Sequence, residues 1–244
     1  MIIDRVRRLV AEALGTGLLV MAVIGSGIMA ANLSPNDFGL QLFENAAATA
    51  GALLALILVL GPVSGAHFNP VVTLVSRGFG HHSTGEAAGY IGAQIVGGCL
   101  GAIVANVMFS LPAIELSTKS RTGGGLWLSE AVATLALLLI IWGLVRAGRA
   151  SVVPFAVAAW IGGAYFFTSS TSFANPAVTI ARTLSNTFAG IKPASAPMFI
   201  AMQLVGAAIA FGLILFLFPT PAPDPTRDPA NDSGPRDDEV ATDA

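Results

Sequence analysis

Two matched Asn-Pro segments are the residues of this sequence best placed to do chemistry. The first covers residues 68–73 and reads FNPVVT, and the second covers residues 174–179 and reads ANPAVT. Asn is a favoured N-cap and Pro is favoured at the first helical position, so each segment predicts the start of a helix. Each Asn can cap its helix through the side-chain oxygen, which leaves the amide NH2 free to donate into a lumen.

Both predicted helices are short and lie in apolar sequence, so each reads as half of a membrane span. Backbone that leaves a helix at membrane depth is tolerated only inside protein or beside a water-filled cavity. The four residues before Asn69 and before Asn175 would then expose carbonyl oxygens that replace the hydrogen bonds a small polar solute loses on leaving water. Helix N-termini at the centre penalise cations and protons. The pattern predicts a pore for small uncharged molecules.

The composition agrees with an integral membrane protein. The 244 residues are 54% hydrophobic and 11% charged, whereas soluble domains average about 45–50% apolar and about 25% charged residues. An all-α fold with six spans is predicted, at about residues 9–31, 46–63, 87–111, 126–145, 152–167 and 196–218. The half-helices from Asn69 and Asn175 follow the second and fifth spans, and residues 32–45 are predicted to form a polar connector.

The chain carries an internal repeat. An Ala-Glu-Ala segment at 11–13 and a Ser-Glu-Ala segment at 129–131 each open a Leu-rich span. Residues 1–219 are therefore predicted to form one channel domain, with repeats at about 1–111 and 126–219. Three spans per repeat require the two halves to insert with opposite orientation, which places the functional site at the midplane. Residues 220–244 contain seven of the fourteen acidic residues and many prolines, which predicts a disordered acidic tail.

The distribution of basic residues predicts that both termini are cytoplasmic. The side that holds the termini carries Arg5, Arg7, Arg8, Arg77, Arg146, Arg149, Arg227 and Arg236. The other side carries Lys119, Arg121, Arg182 and Lys192.

Glu12 and Glu130 are the two carboxylates predicted inside spans. Intramembrane carboxylates can act as proton relays. Their equivalent positions in the two repeats favour a structural pair that hydrogen-bonds the broken segments.

Other function classes find little support. The sequence has no nucleophile–base pair, and the three histidines, His67, His81 and His82, lie in or beside one re-entrant element. We therefore expect no catalytic residues, no metal site and no cofactor. Nothing resembles a basic nucleic-acid-binding face, and the single Cys99 excludes an intrachain disulfide.

The combined motifs resemble those of the aquaporin and aquaglyceroporin family, also called major intrinsic proteins. The resemblance covers about residues 7–219 and is carried by Ala11, Glu12, residues 64–73 (SGAHFNPVVT), Gln94, Glu130, Asn175, Pro176 and Ala177. It implies six tilted spans, two re-entrant half-helices and a homotetramer in membrane lipid with one pore per subunit. The pore motifs would be Asn69, Pro70, Val71, Asn175, Pro176 and Ala177.

The sequence departs from the family pattern at two places. Val71 replaces the Ala that ends the first motif, and Val178 stands where the family usually has Arg, with Arg182 one helical turn further on. The family's constriction has four positions, and counting from the motif asparagines places them at Thr49, Gly163, Ser172 and Val178. This resemblance implies a small and uncharged selectivity filter.

Residues 175–191 are similar to the bacterial branch found in arsenic-resistance operons. That similarity implies passage of arsenite, as neutral As(OH)3, and of related metalloids. We therefore expect a passive channel in a bacterial-type inner membrane for arsenite, glycerol and water. An ordinary glycerol and water facilitator is one alternative, and a proton-coupled transporter that uses Glu12 and Glu130 is another.

Overall fold

The computed structural model describes residues 2–219, and the regular elements in this range are all helical. Eight α-helices are present: α1 (Ile2–Leu33), α2 (Phe38–Ser64), α3 (Pro70–Gly78), α4 (Thr84–Met108), α5 (Gly124–Arg146), α6 (Val153–Phe167), α7 (Pro176–Ala181) and α8 (Ala196–Leu217). Short 3-10 segments cover Ala150–Val152, Arg182–Leu184 and Pro193–Ser195. The predicted tail, 220–244, lies outside the described residues.

Six helices are long and apolar enough to cross a membrane, counting the 3-10 turns that extend α6 and α8. The other two, α3 and α7, have nine and six residues. At about 1.5 Å per residue, neither could cross a hydrocarbon core about 30 Å thick. Both are half-helices, and each is entered from an extended Asn.

The connector between the first two spans is shorter than predicted. Helix α2 begins at Phe38, because the side chain of Asp37 accepts a hydrogen bond from the backbone N–H of Leu40 at 2.9 Å. Asn45 is buried, and its amide donates to the carbonyl of Val23 in α1 at 2.9 Å. Asn45 was predicted to lie in the polar connector, but it lies within α2 and links this helix to α1.

Close backbone contacts join the first and third spans of each half. A Cβ at Gly97 of α4 would lie 2.0 Å from the carbonyl oxygen of Ala13 in α1. A Cβ at Gly206 of α8 would lie 2.3 Å from the carbonyl oxygen of Ala131 in α5. Small residues at these crossings let the helix backbones touch, as in other membrane bundles.

The half-helices are enclosed by this frame. Both α3 and α7 contact α4 and α8, and they also contact each other. The apolar face of α3 packs through Val71 and Val75 against Leu138 of α5 and Ala210 of α8. The two breaks in the helical backbone therefore meet near the middle of the bundle.

Candidate functional site

The two half-helices begin with the same cap. The Asn69 side-chain oxygen accepts from the backbone N–H of Val71 at 3.1 Å. The Asn175 side-chain oxygen accepts from the N–H groups of Ala177 and Val178 at 3.0 and 3.2 Å. Pro70 and Pro176 follow at the first helical position, where the missing N–H has no intrahelical partner to lose.

The amide groups of the two asparagines also tie the breaks together. Asn69 Nδ2 donates to the carbonyl of Ala174 at 2.8 Å, and Asn175 Nδ2 donates to the carbonyl of Phe68 at 2.8 Å. Each NH2 has two protons, and within the described residues only one of them has a protein acceptor. The second N–H of each amide remains available where both residues line the central cavity.

Left-handed backbone shapes both breaks. Ala66 and Phe68 have φ values of 47° and 48°, and the equivalent Ser172 and Ala174 have 50° and 47°. Non-glycine residues rarely adopt this region, and each instance costs on the order of 1–3 kcal/mol. The turns therefore need strong local support from elsewhere in the fold.

Glu12 supports the first break. Its carboxylate accepts hydrogen bonds from Ser64 Oγ at 2.7 Å, His67 N at 2.9 Å, Phe68 N at 2.8 Å and Gln94 Nε2 at 2.7 Å. These contacts fix the backbone N–H groups at the point where the chain turns left-handed.

Glu130 supports the second break in the same way. It accepts from Ser170 Oγ at 2.6 Å, Phe173 N at 2.9 Å, Ala174 N at 2.9 Å and Gln203 Nε2 at 2.6 Å. Sequence reasoning missed Gln203. This residue lies in the third span of the second repeat, and Gln94 lies in the third span of the first repeat. Neither Glu12 nor Glu130 lines the cavity.

A cavity of about 600 Å³ runs past both asparagines. Most of its wall is apolar, with contributions from α1, α2, α5 and α6 and from the two breaks. Polar groups occur at a few points, among them Thr49, His67 and Ser172. The polar groups on this wall can hydrogen-bond a small solute, and no carboxylate side chain of residues 2–219 belongs to it.

Three of the four predicted filter residues line this cavity: Thr49, Ser172 and Val178. The fourth predicted residue, Gly163, does not line the central cavity. Gly163 is exposed on another face of α6 and lines a separate cavity between α2 and α6. The residues of α6 that face the central cavity include Ile161 and Tyr165. Sequence reasoning missed Tyr165, because α6 is apolar on all sides and its periodicity marks no lumen face.

Tyr165 and Ser172 line the same cavity as Val178. Tyr165 Oη donates to Thr49 Oγ1 at 3.3 Å. Ser172 lines the cavity, but its Oγ atom is enclosed and has no hydrogen-bond partner among the described residues. Val178 is 5% exposed and adds neither charge nor a donor.

Arg182 also lines the central cavity, although only 2% of its surface is exposed. Its guanidinium carbon lies 3.4 Å from the ring centroid of Phe173, another lining residue. The site therefore contains a positive side chain, whereas the four positions counted from the sequence contain none. The signal in the sequence was the Arg one turn beyond Val178.

The loop between α4 and α5 contributes two further basic side chains, Lys119 and Arg121. Lys119 Nζ donates to the Phe188 carbonyl at 2.8 Å. Burial, followed by the charges of Arg121 and Arg182, lowers the pKa of Lys119 to about 8. Burial also lowers the pKa of Arg121 to about 10, so the guanidinium stays protonated at neutral pH.

Within residues 2–219, no group of three or more His, Cys, Asp and Glu side chains is arranged to hold a metal ion.

Comparison with known proteins gives consistent results. The sequence pattern described as "Major intrinsic protein" matches residues 2–171. Aquaglyceroporin AqpS of Rhizobium meliloti (strain 1021) is 49% identical over 214 residues, which cover 88% of this chain and 91% of AqpS. The probable aquaporin AqpM of Archaeoglobus fulgidus is 28% identical over 237 residues, which cover 86% of this chain and 96% of AqpM.

A solved structure also resembles this chain. The aquaglyceroporin from Plasmodium falciparum superposes with a TM-score of 0.66 at 21% identity, covering 86% of this chain and 95% of the other. This likeness bears on the fold alone. It confirms the predicted all-α architecture.

Proposed function

This chain belongs to the major intrinsic protein family, whose members are membrane channels and not enzymes, and from that premise we propose that it conducts small uncharged solutes passively. The observation that carries the proposal is the pair of asparagines on one cavity. Asn69 and Asn175 each cap a half-helix and hold the opposite break, and one N–H of each has no acceptor within residues 2–219. A neutral solute can exchange its water hydrogen bonds for these donors and for nearby carbonyl groups.

We further propose that the pore motifs are Asn69–Val71 and Asn175–Ala177, and that Thr49, Ser172 and Val178 form the filter. Val178 leaves space where a long side chain would close the path, and Thr49 and Ser172 are small, uncharged residues of the cavity wall. A filter of this kind suits solutes wider than water that carry several hydroxyl groups.

Glycerol and arsenite are the substrates proposed on this basis, together with water. Glycerol is supported by the 49% identical relative, whose name describes it as an aquaglyceroporin. Arsenite is supported by its chemistry, because neutral As(OH)3 presents three hydroxyl groups as glycerol does. The similarity of residues 175–191 to the arsenic-associated branch supports it as well.

The surroundings of the two buried carboxylates argue against proton-coupled transport. A relay needs a carboxylate that meets the pathway, whereas Glu12 and Glu130 lie outside the cavity wall and are each held by four donors. We propose that both residues are structural and hold the left-handed turns.

Stopped-flow measurements on proteoliposomes test the substrate proposal. Shrinkage under an impermeant osmolyte reports water flux, and reswelling in glycerol or arsenite reports solute flux. We expect both solutes to enter faster than into empty liposomes. Entry of glycerol without arsenite would instead favour the ordinary glycerol facilitator, and entry of water alone would contradict the proposed filter.

We also propose a homotetramer in a bacterial-type inner membrane, with both termini cytoplasmic. The groove between α2 and α6, lined by Phe43, Gly51, Gly162 and Phe166, has the small and aromatic residues that suit helix packing in lipid. Native mass spectrometry should give four subunits per particle. Reporter fusions should place a C-terminal tag in the cytoplasm, and a periplasmic tag would contradict the predicted orientation.

A further inference from the structure

Arg182 presents unused hydrogen-bond donors to the cavity. Its Nε donates to the Ala189 carbonyl. Its Nη1 and Nη2 atoms have no hydrogen-bond acceptor within residues 2–219, and neither nitrogen is fully enclosed by protein atoms. Only 2% of the Arg182 surface is exposed. The exposed part includes the two terminal nitrogens, which face the cavity that the residue lines.

The charge on Arg182 is not neutralised by a contacting carboxylate. Among the described residues, the one ion pair within 4.0 Å joins Arg8 to Asp4 at the start of α1. Glu130 influences Arg182 only over a longer distance, and its own oxygens are held by four donors. A positive charge with little nearby compensation acts strongly in a cavity with an apolar wall.

Neighbouring groups fix the guanidinium in this position. It lies over the Phe173 ring, which also contacts Phe199 edge-on at a centroid distance of 5.1 Å. The Phe173 backbone N–H is bound to Glu130 at 2.9 Å. The support that shapes the second break therefore also sets the platform beneath Arg182.

Arg182 follows Val178 by four residues, which is about one helical turn. Along a helix this is a rise of about 6 Å away from Asn175. The Arg182 backbone therefore lies one turn beyond Val178, and its side chain reaches back over the Phe173 ring.

We propose that Arg182 is a specificity-determining residue. It repels cations where it lines the cavity, and it donates hydrogen bonds to the oxygen atoms of neutral solutes. The inference rests on the proposed channel function and deepens it. It divides two properties between two residues: Val178 sets the width, and Arg182 sets the charge. A wide path can then remain closed to sodium ions and to protons.

The size of the effect follows from Coulomb's law. One unit charge about 6 Å from a monovalent cation, at an effective dielectric constant of about 20, changes its rate of passage about 100-fold. Water in the cavity and salt outside reduce this, so removal of the charge should raise cation leak by about 10- to 100-fold.

The test compares Arg182→Gln with Arg121→Gln. Arg121 is a matched control, because it is also buried and lies over the Phe173 ring at 5.0 Å, but it does not line the central cavity. Proteoliposomes with equal amounts of folded protein are assayed for sodium leak, proton leak and glycerol flux. Arg182→Lys is included because it keeps the charge.

We expect Arg182→Gln to leak sodium ions and protons, with a glycerol flux that is reduced by the loss of the Arg182 donors but still exceeds that of empty liposomes. Arg121→Gln and Arg182→Lys should stay tight to both ions. An Arg182→Gln channel that conducts glycerol and stays as tight as the wild type would overturn the inference. So would an equal leak in both glutamine variants. Absence of glycerol flux in the wild type would count against the proposed function itself.

A second measurement does not depend on whether the variants fold. In a sodium chloride gradient, any ion conductance of the wild-type channel should give a reversal potential that favours chloride. A preference for sodium would contradict the role assigned to Arg182.

Discussion

Replacement of Glu130 by Gln separates a structural carboxylate from a proton relay. The substitution keeps the shape of the side chain and exchanges one acceptor oxygen for an NH2 donor. Four donors meet this carboxylate: the Ser170 hydroxyl, the Gln203 amide and the backbone N–H groups of Phe173 and Ala174. Each oxygen receives one side-chain donor and one backbone donor.

The expected loss can be worked out from these contacts. If NH2 replaces the oxygen facing Gln203, that amide can turn, because its own Oε1 has no partner in the described residues. The Ala174 N–H cannot turn and is left buried without an acceptor, which costs about 1–3 kcal/mol. The remaining bonds lose a charged acceptor, which adds about 1–2 kcal/mol. The variant should be less stable by about 2–5 kcal/mol.

The assay is thermal unfolding of purified protein in detergent, together with glycerol flux per folded channel. Glu115→Gln is the control, since Glu115 is an exposed carboxylate that accepts from Asn186 at 3.0 Å. We expect Glu130→Gln to unfold at a lower temperature with unchanged flux per channel, and Glu115→Gln to match the wild type. Normal stability with abolished flux would refute the structural role and favour a relay.

Three further substitutions test other parts of the account. Val178→Arg should lower glycerol and arsenite flux by about tenfold or more while water flux falls less, because a long side chain would enter the proposed filter. If stopped-flow measurements show unchanged fluxes of water, glycerol and arsenite, Val178 does not set the width of the pathway. Gly97→Ala should destabilise the fold by about 1–3 kcal/mol, because a Cβ there would lie 2.0 Å from the Ala13 carbonyl oxygen. Gly92→Ala in the same helix meets nothing within 4 Å and is the control, and equal unfolding temperatures would contradict the packing argument. The pKa of Lys119 is lowered from 10.5 to about 8, so the unfolded chain binds more protons between these values and stability should rise with pH across that window. Lys119→Met should remove that part of the rise in unfolding temperature, and an identical pH profile would contradict the lowered pKa.

The half-helices were predictable because their signals are local. An Asn cap followed by Pro defines a helix start within a few residues, and the duplication of the motif shows that it is not an isolated kink. The paired glutamates were visible for the same reason, since Glu12 and Glu130 hold equivalent places in the repeat. Their hydrogen-bond partners in the breaks follow from geometry that only the folded chain displays.

The residues that line the central cavity were only partly predictable from the sequence. Counting along the chain fixes which span a residue belongs to, but it does not fix which face of an all-round apolar helix meets the lumen. Gly163 was misplaced for this reason, and Tyr165 was missed. Arg182 reaches the cavity because a 3-10 turn follows the short α7 and because the Phe173 ring provides a platform. Neither feature can be read from the spacing of charged residues.

Passive conduction is tested most directly by the steady-state distribution of glycerol across proteoliposomes under an imposed pH gradient. Among residues 2–219, the wall of the cavity includes both capping asparagines and no carboxylate side chain, so the proposed pathway lacks the kind of group on which a proton relay depends. The internal and external glycerol concentrations should become equal, at a rate that a protonophore does not change. Accumulation against the glycerol gradient, abolished by the protonophore, would contradict the channel mechanism.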